Sequence, residues 1–196
     1  MVILAKGRGI MIKEIIMKLL VILVFSLPLT SNALTFRSIE NQPGFMIAEG
    51  EIERKDDKRL EKFVERNNIH TVEWNSIGGL MSASLNIGMY IREHNLNTVL
   101  RNGSICHSGC AYAFMGGIDR EIEDGGNFAM HRPYFLDAPK GSFEDGYTDG
   151  VNTVILVTSY LTAMGLSYEY AVGHLMFREL VPVDDNLQKL FSITTK

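Results

Sequence analysis

A chain of 196 residues with 19 basic and 23 acidic side chains has a net charge of −4, and no basic stripe gathers its cations. That balance argues against nucleic acid as a partner. The length suits one domain with a full hydrophobic core.

Residues 1–18 hold Lys6, Arg8, Lys13 and Lys18 against a single acid, Glu14. The apolar run Leu19–Phe25 follows, then Ser26 to Ala33, with Ser31 and Ala33 in a small-x-small pattern. A basic stretch, a short apolar core and a small-residue end read as a secretory signal peptide, too short in its apolar part for a membrane span of roughly 20 residues. Cleavage is expected after Ala33, making 1–33 the signal peptide and 34–196 a single domain. An uncleaved anchor or a buried helix is the competing reading. Met17 begins a compact signal of its own and is an alternative start. Of the charged residues, four basic and one acidic fall in 1–33, leaving 15 and 22 and a net charge of about −7. No later stretch is apolar enough to cross a membrane, so the expected product is exported across the inner membrane to the periplasm.

Residues 34–44 read as a lead-in that ends in the turn Pro43-Gly44. Phe45–Ala48 reads as a strand and 53–67 as an amphipathic helix, with Leu60, Phe63 and Val64 on one face. Thr71–Trp74 is a strand, Asn75-Ser76-Ile77-Gly78-Gly79 the turn leaving it, and Leu80–His94 a helix. Thr98–Leu100 is a short strand broken by Asn102-Gly103. Residues 108–115 are helical in character, 120–123 and 127–131 are strands, and 132–147 is a polar loop. Helices at 149–164 and 167–178 follow, with a last turn from about Asp184. Strand–helix alternation implies βαβ crossovers, hence an α/β fold with a largely parallel sheet and C-terminal helices packed over it.

Three segments carry chemistry when taken together: Asn75–Gly79, Cys106-His107-Ser108-Gly109-Cys110 and Met130-His131-Arg132-Pro133. Each alone has an ordinary reading as a turn, a helix cap or a structural histidine. Acyl transfer, however, needs a hydroxyl at a strand-to-helix junction with a free backbone N–H behind it, which Ser108 and Gly109 satisfy. A second donor is needed from a neighbouring strand end, where Gly78-Gly79 brings backbone close without a side chain. The base must come from elsewhere in the fold, and His131 stands at the end of a predicted strand.

These motifs resemble those of the Clp protease proteolytic subunit, in the superfamily that also holds the crotonases. Asn75–Gly79 is similar to that family's Asn-Ser-Pro-Gly-Gly turn, and Met130–Pro133 to its histidine motif. The Cys-x-Ser-x-Cys arrangement is closer still to that of uncharacterised periplasmic proteins related to Clp protease. The resemblance covers roughly residues 45–190. It implies a superhelix of ββα units, Ser108 as nucleophile, His131 as general base, and the Gly79 and Gly109 amides as the oxyanion hole. It also implies a late Asp as the third member, for which Asp184 and Asp185 are the candidates and Asp137, Asp145 and Asp149 less suited. Peptide or protein substrates and assembly into homo-oligomers follow from the same resemblance; no cofactor and no metal are expected. Ile77 departs from the family's proline, and the chain after Asp185 is short.

Export would place Cys106 and Cys110 where a disulfide persists, and their spacing lets them meet only across a helical or tightly turned backbone. Free thiols packed in the helix are the alternative. A metal at Cys106, His107 and Cys110 lacks the second ligand pair that zinc needs. His70, His94 and His174 read as surface or capping residues, Trp74, Phe114, Phe128 and Tyr134 as core or pocket wall, and Met81, Met89, Met115, Met164 and Met176 as helix filling. A Ser–Lys dyad through Lys140 has no support from its Pro139-Lys140-Gly141 setting. Beside the hydrolase, two readings compete: a non-catalytic Clp-like domain that binds a peptide or protein, and a crotonase-type acyl-CoA enzyme, disfavoured because CoA is not expected outside the cytoplasm.

Overall fold

The computed structural model describes residues 33–134 and 142–195. The expected signal segment up to residue 32, together with Asp137, Pro139, Lys140 and Gly141, lies outside the described residues. In chain order the elements are β1 (Thr35–Ser38), β2 (Phe45–Ile52), α1 (Asp56–Asn67), β3 (Thr71–Gly79), α2 (Met81–Glu93), β4 (Asn97–Leu100), β5 (Ile105–His107), α3 (Gly109–Phe114), β6 (Arg120–Ile122) and β7 (Asn127–Met130). Then come α4 (Phe143–Ala163), α5 (Tyr168–Gly173), a 3₁₀ turn (His174–Met176), β8 (Val181–Pro182) and α6 (Asp185–Leu190).

The long strand β3 organises the architecture. Its first half pairs with β4 in parallel, Thr71 to Asn97 through Glu73 to Val99, and its second half reaches β5 at Ser76 and Cys106. Each later turn of the chain repeats the split. β4 pairs with β6 on one side while β5 pairs with β7 on the other, both in parallel. The units β4–β5 and β6–β7 thus each contribute one strand to each limb before the next helix, the ββα pattern of a superhelix. Among the described residues, only the outer pairs, β1 with β2 and β7 with β8, are antiparallel.

Residues on both faces of β3 are buried from Thr71 to Trp74, as a strand covered on both sides requires. Trp74, Phe114, Phe128, Ile87 and Ile91 are among the largest fully buried side chains. Each contributes about 1.5–3 kcal/mol by leaving water. α3 is buried throughout its length, so the Ser108 junction is bedded in the core rather than carried on a loop. The turn after α3 meets the α2 backbone at glycines: a methyl on Gly116 would stand 2.2 Å from the Gly88 carbonyl oxygen. The buried Arg120 guanidinium donates to the carbonyls of Gly117, Met164, Ser192 and Ile193, tying the chain's end to the core, and burial pushes its pKa down to about 10.

Several boundaries differ from the sequence reading. β3 runs through the expected turn to Gly79, because β2 stays paired with it as far as Ile52. β1, β5 and β8 were not anticipated; at two to four residues they have no readable period and exist through pairing. α4 begins at Phe143, inside the expected loop, where Ser142 and Asp145 form a reciprocal capping box. The helix expected over 167–178 is a short α5 followed by the 3₁₀ turn. Met89 and Met176 are exposed rather than filling space.

Candidate active site

Ser108 joins β5 to α3 with φ 54° and ψ −121°, a conformation that costs a non-glycine residue of order 1–3 kcal/mol. Surrounding bonds hold it there. Its N–H donates to the Ala129 carbonyl at 3.1 Å, and its own carbonyl accepts from Ala111 N at 3.0 Å. Cys106 and Cys110 form a disulfide across it, with Cα atoms 5.2 Å apart and both residues fully buried.

The Gly78–Gly79 backbone presses directly on this junction. A methyl on Gly78 would fall 2.5 Å from the His107 carbonyl oxygen, 2.6 Å from Gly109 N and 2.8 Å from Ser108 Cβ. One on Gly109 would fall 3.0 Å from Gly79 N. Gly78 and Gly79 have φ of 95° and 142°, which favours glycine at both positions. The Gly78 amide donates to Ser76 Oγ at 3.1 Å. At the position of the usual proline, Ile77 keeps the strand extended and turns a half-exposed side chain outward.

His131 follows β7, the strand beside β5. His107 and Ala129 are register partners, so Ser108 and His131 both lie just beyond the carboxyl ends of adjacent parallel strands, the usual place for chemistry in such sheets. The histidine is only 8% exposed. Its Nδ1 stands 2.7 Å from the Arg132 carbonyl oxygen. A carbonyl only accepts, so Nδ1 carries the proton, and in the neutral ring Nε2 keeps the lone pair.

A cleft of about 410 Å³ opens beside the ring, lined by His131, Tyr134, Arg178, Glu179 and Leu180. The Tyr134 ring lies 5.2 Å from that of His131, centroid to centroid. Residues 177–182 reach the cleft by returning antiparallel to β7: the Phe177 carbonyl accepts from Arg132 N at 2.8 Å, and Val181 pairs with Met130. Sequence reading missed Glu179 and Arg178. Their only local signal is a two-residue strand just after them, which nothing in the sequence marks.

The two late aspartates stand elsewhere. Asp184 caps α6, its carboxylate accepting from Leu187 N at 2.9 Å, and Asp185 lies exposed in the first turn of that helix. Neither lines the cleft. Asp145 belongs to the α4 cap, and Asp149 is exposed on that helix. The disulfide takes both sulfurs of the cysteine–histidine cluster, and His107 Nε2 pairs with Asn127 Oδ1 at 3.1 Å. Among the described residues, no three His, Cys, Asp or Glu side chains converge as a metal set.

His174 is buried, not superficial. Its Nε2 meets the Tyr112 hydroxyl at 3.1 Å, and its Nδ1 meets the Tyr170 carbonyl at 3.2 Å. Burial holds its pKa below the usual value, backbone bonds at Tyr170 and Ala171 oppose this, and nearby His131 adds to the depression. Burial likewise raises the pKa of the Tyr112 hydroxyl.

No protein-family model matches the chain, and no curated protein matches it in sequence. Solved structures do match in shape. An Asn-to-Asp mutant of ClpP1 from Listeria monocytogenes superposes with a TM-score of 0.61 at 16% identity, covering 78% of this chain and 89% of that one. The fold is that of the Clp proteases. A serine-to-alanine mutant of the 1510-N membrane-bound stomatin-specific protease gives a TM-score of 0.51 at 14% identity, covering 72% of this chain and 70% of that one. A lysine-to-alanine mutant of the same protease, in complex with a substrate peptide, gives 0.52 at 15% identity over 72% and 66%.

Proposed function

We propose that this chain is an exported serine hydrolase of peptidase type, with Ser108 as nucleophile and His131 as general base. The observation that carries the reading is the Ser108 junction: a buried helix start in a costly conformation, packed against the Gly78–Gly79 backbone, with a histidine at the end of the adjacent strand whose Nε2 keeps its lone pair. Ser108 Oγ would attack the carbonyl carbon of a peptide bond as its proton passes to His131 Nε2. The Gly79 and Gly109 amides would receive the negative oxygen. His131 would return the proton to the leaving amine, and water would then hydrolyse the acyl ester by the reverse proton path.

The basic, apolar and small-residue pattern of 1–33 supports export, and the Cys106–Cys110 disulfide suits an oxidising compartment such as the periplasm. Phe143, Tyr147, Val151 and Ile155, four residues apart on α4, expose an apolar stripe that supports assembly with further copies of the chain.

One observation favours a second reading, a non-catalytic domain that binds a peptide: neither Asp184 nor Asp185 approaches His131 in the cleft. A fluorophosphonate probe on the chain from residue 34 separates the two. The hydrolase labels, and labelling disappears in Ser108→Ala and weakens in His131→Ala. No labelling, under conditions that label a control serine hydrolase, overturns the enzyme reading.

A further inference from the structure

We propose that His174 is a positioning residue for His131, acting through the Tyr112 hydroxyl: the second ring proton of His174 decides whether that hydroxyl is committed to the His131 carbonyl. Its bearing on catalysis rests on the hydrolase reading above.

Tyr112 is buried on α3, and its hydroxyl stands 3.1 Å from the His131 main-chain oxygen and 3.1 Å from His174 Nε2. Burial raises its pKa, so the hydroxyl keeps its single proton. The other ring nitrogen of His174 is already assigned. Nδ1 faces the Tyr170 carbonyl at 3.2 Å, and a carbonyl only accepts, so Nδ1 carries a proton in either charge state. In the neutral ring Nε2 therefore holds a lone pair, which competes with the His131 carbonyl for the Tyr112 proton. In the imidazolium Nε2 becomes a donor to the Tyr112 oxygen, and the Tyr112 proton passes wholly to the His131 carbonyl. Two acceptors share one proton in the first state, whereas each has its own donor or role in the second.

The titratable groups set against this ring, among the described residues, are Tyr112 from α3, Tyr170 from α5 and His131 after β7. Burial disfavours the imidazolium most strongly, the backbone bonds oppose this, and His131 adds to the depression. The ring is therefore neutral above about pH 6.5, and the hold on the His131 carbonyl is shared there. It tightens as pH falls through the folded value. The loss of global stability over the same range is the separate cost of burying the charge.

The test uses the chain from residue 34 carrying His131→Gln, which removes the titration of the base and keeps the carbonyl at position 131. That carbonyl is labelled with ¹³C and the histidine rings with ¹⁵N, His174 being assigned by its loss in His174→Gln. The carbonyl should move downfield with the midpoint of the His174 ring, and in Tyr112→Phe it should no longer follow. His174→Gln, whose amide offers Tyr112 a permanent donor, reads the same coupling at pH 7, where the fold is not under acid stress: the carbonyl should again move downfield, and Tyr112→Phe should abolish that shift. A carbonyl that stays in place in His174→Gln, or that still responds in Tyr112→Phe, overturns the proposal. With His131 intact, fluorophosphonate labelling at pH 7 should slow about tenfold in His174→Leu and less than about threefold in His174→Gln, since only the second keeps a donor for Tyr112. Equal rates in the two variants overturn the positioning role. If the parent does not label at all, the hydrolase reading fails, and the carbonyl shift still decides whether His174 is coupled to position 131.

Discussion

The Tyr112 hydroxyl donates to the main-chain carbonyl of His131 at 3.1 Å, joining the buried helix α3 to the residue proposed as base. Tyr112→Phe removes the hydroxyl alone and leaves that carbonyl and His174 Nε2 without their partner. Stability should fall by about 1–3 kcal/mol, the cost of unsatisfied buried groups. Probe labelling of Ser108 should slow roughly tenfold, because a base displaced by a fraction of an ångström loses alignment. Thermal melts and labelling kinetics on the same preparation check both.

His174 sets a pH limit on the fold. Burial holds its pKa below 6.5 in the folded chain, whereas the unfolded chain titrates near that value. Between the two values the unfolded state binds more protons, so this contribution is complete above about pH 6.5 and is lost as pH falls toward the folded pKa. Melting temperature should therefore drop on acidification below pH 6.5, and His174→Gln should flatten that drop. A variant with the parental pH profile would show that another group governs acid sensitivity.

Gly78→Ala should damage fold and site together. The added methyl meets backbone at 2.5 and 2.6 Å, at a residue with φ 95°, and no flexible side chain can yield there. A loss of at least about 2 kcal/mol is expected, with labelling abolished because Ser108–Gly109 must shift. Gly103→Ala is the matched control: it shares a positive φ of 77° but has nothing within 4 Å of the added methyl, so it should cost less and label normally.

Replacing both Cys106 and Cys110 by serine removes a short cross-link whose loop-closure contribution is about 2 kcal/mol. Free-thiol titration of the unreduced parent should find none at these positions. The double variant should melt lower and label more slowly, since the Ser108 conformation then depends on its hydrogen bonds alone. Parental labelling would show that the disulfide serves the fold and not the nucleophile.

Much of the site was legible because its signals are local. A serine ahead of a short apolar helix and a histidine closing a strand each reflect what a few consecutive residues can adopt, whereas the glycine pair expected in a turn after β3 instead forms that strand's end. The α/β alternation and the parallel sheet followed from the same periodicities. The burial of His174 was not legible, since three residues of 3₁₀ turn have no period and Tyr112 lies 62 positions away. Nor was Glu179: it reaches the cleft only because β8 pairs with β7.

From the sequence alone, then, came the strand–helix order, the junction at Ser108, the strand end at His131 and the candidate signal segment. Tertiary structure alone decided what stands against His131. Every residue carries a carbonyl, so one that orients a ring leaves no mark in residue identity. The contact exists because Tyr112 and Phe177, far apart in the chain, hold one peptide unit in place. The aspartates expected in that role instead satisfy the nearest unpaired helix amides or face water.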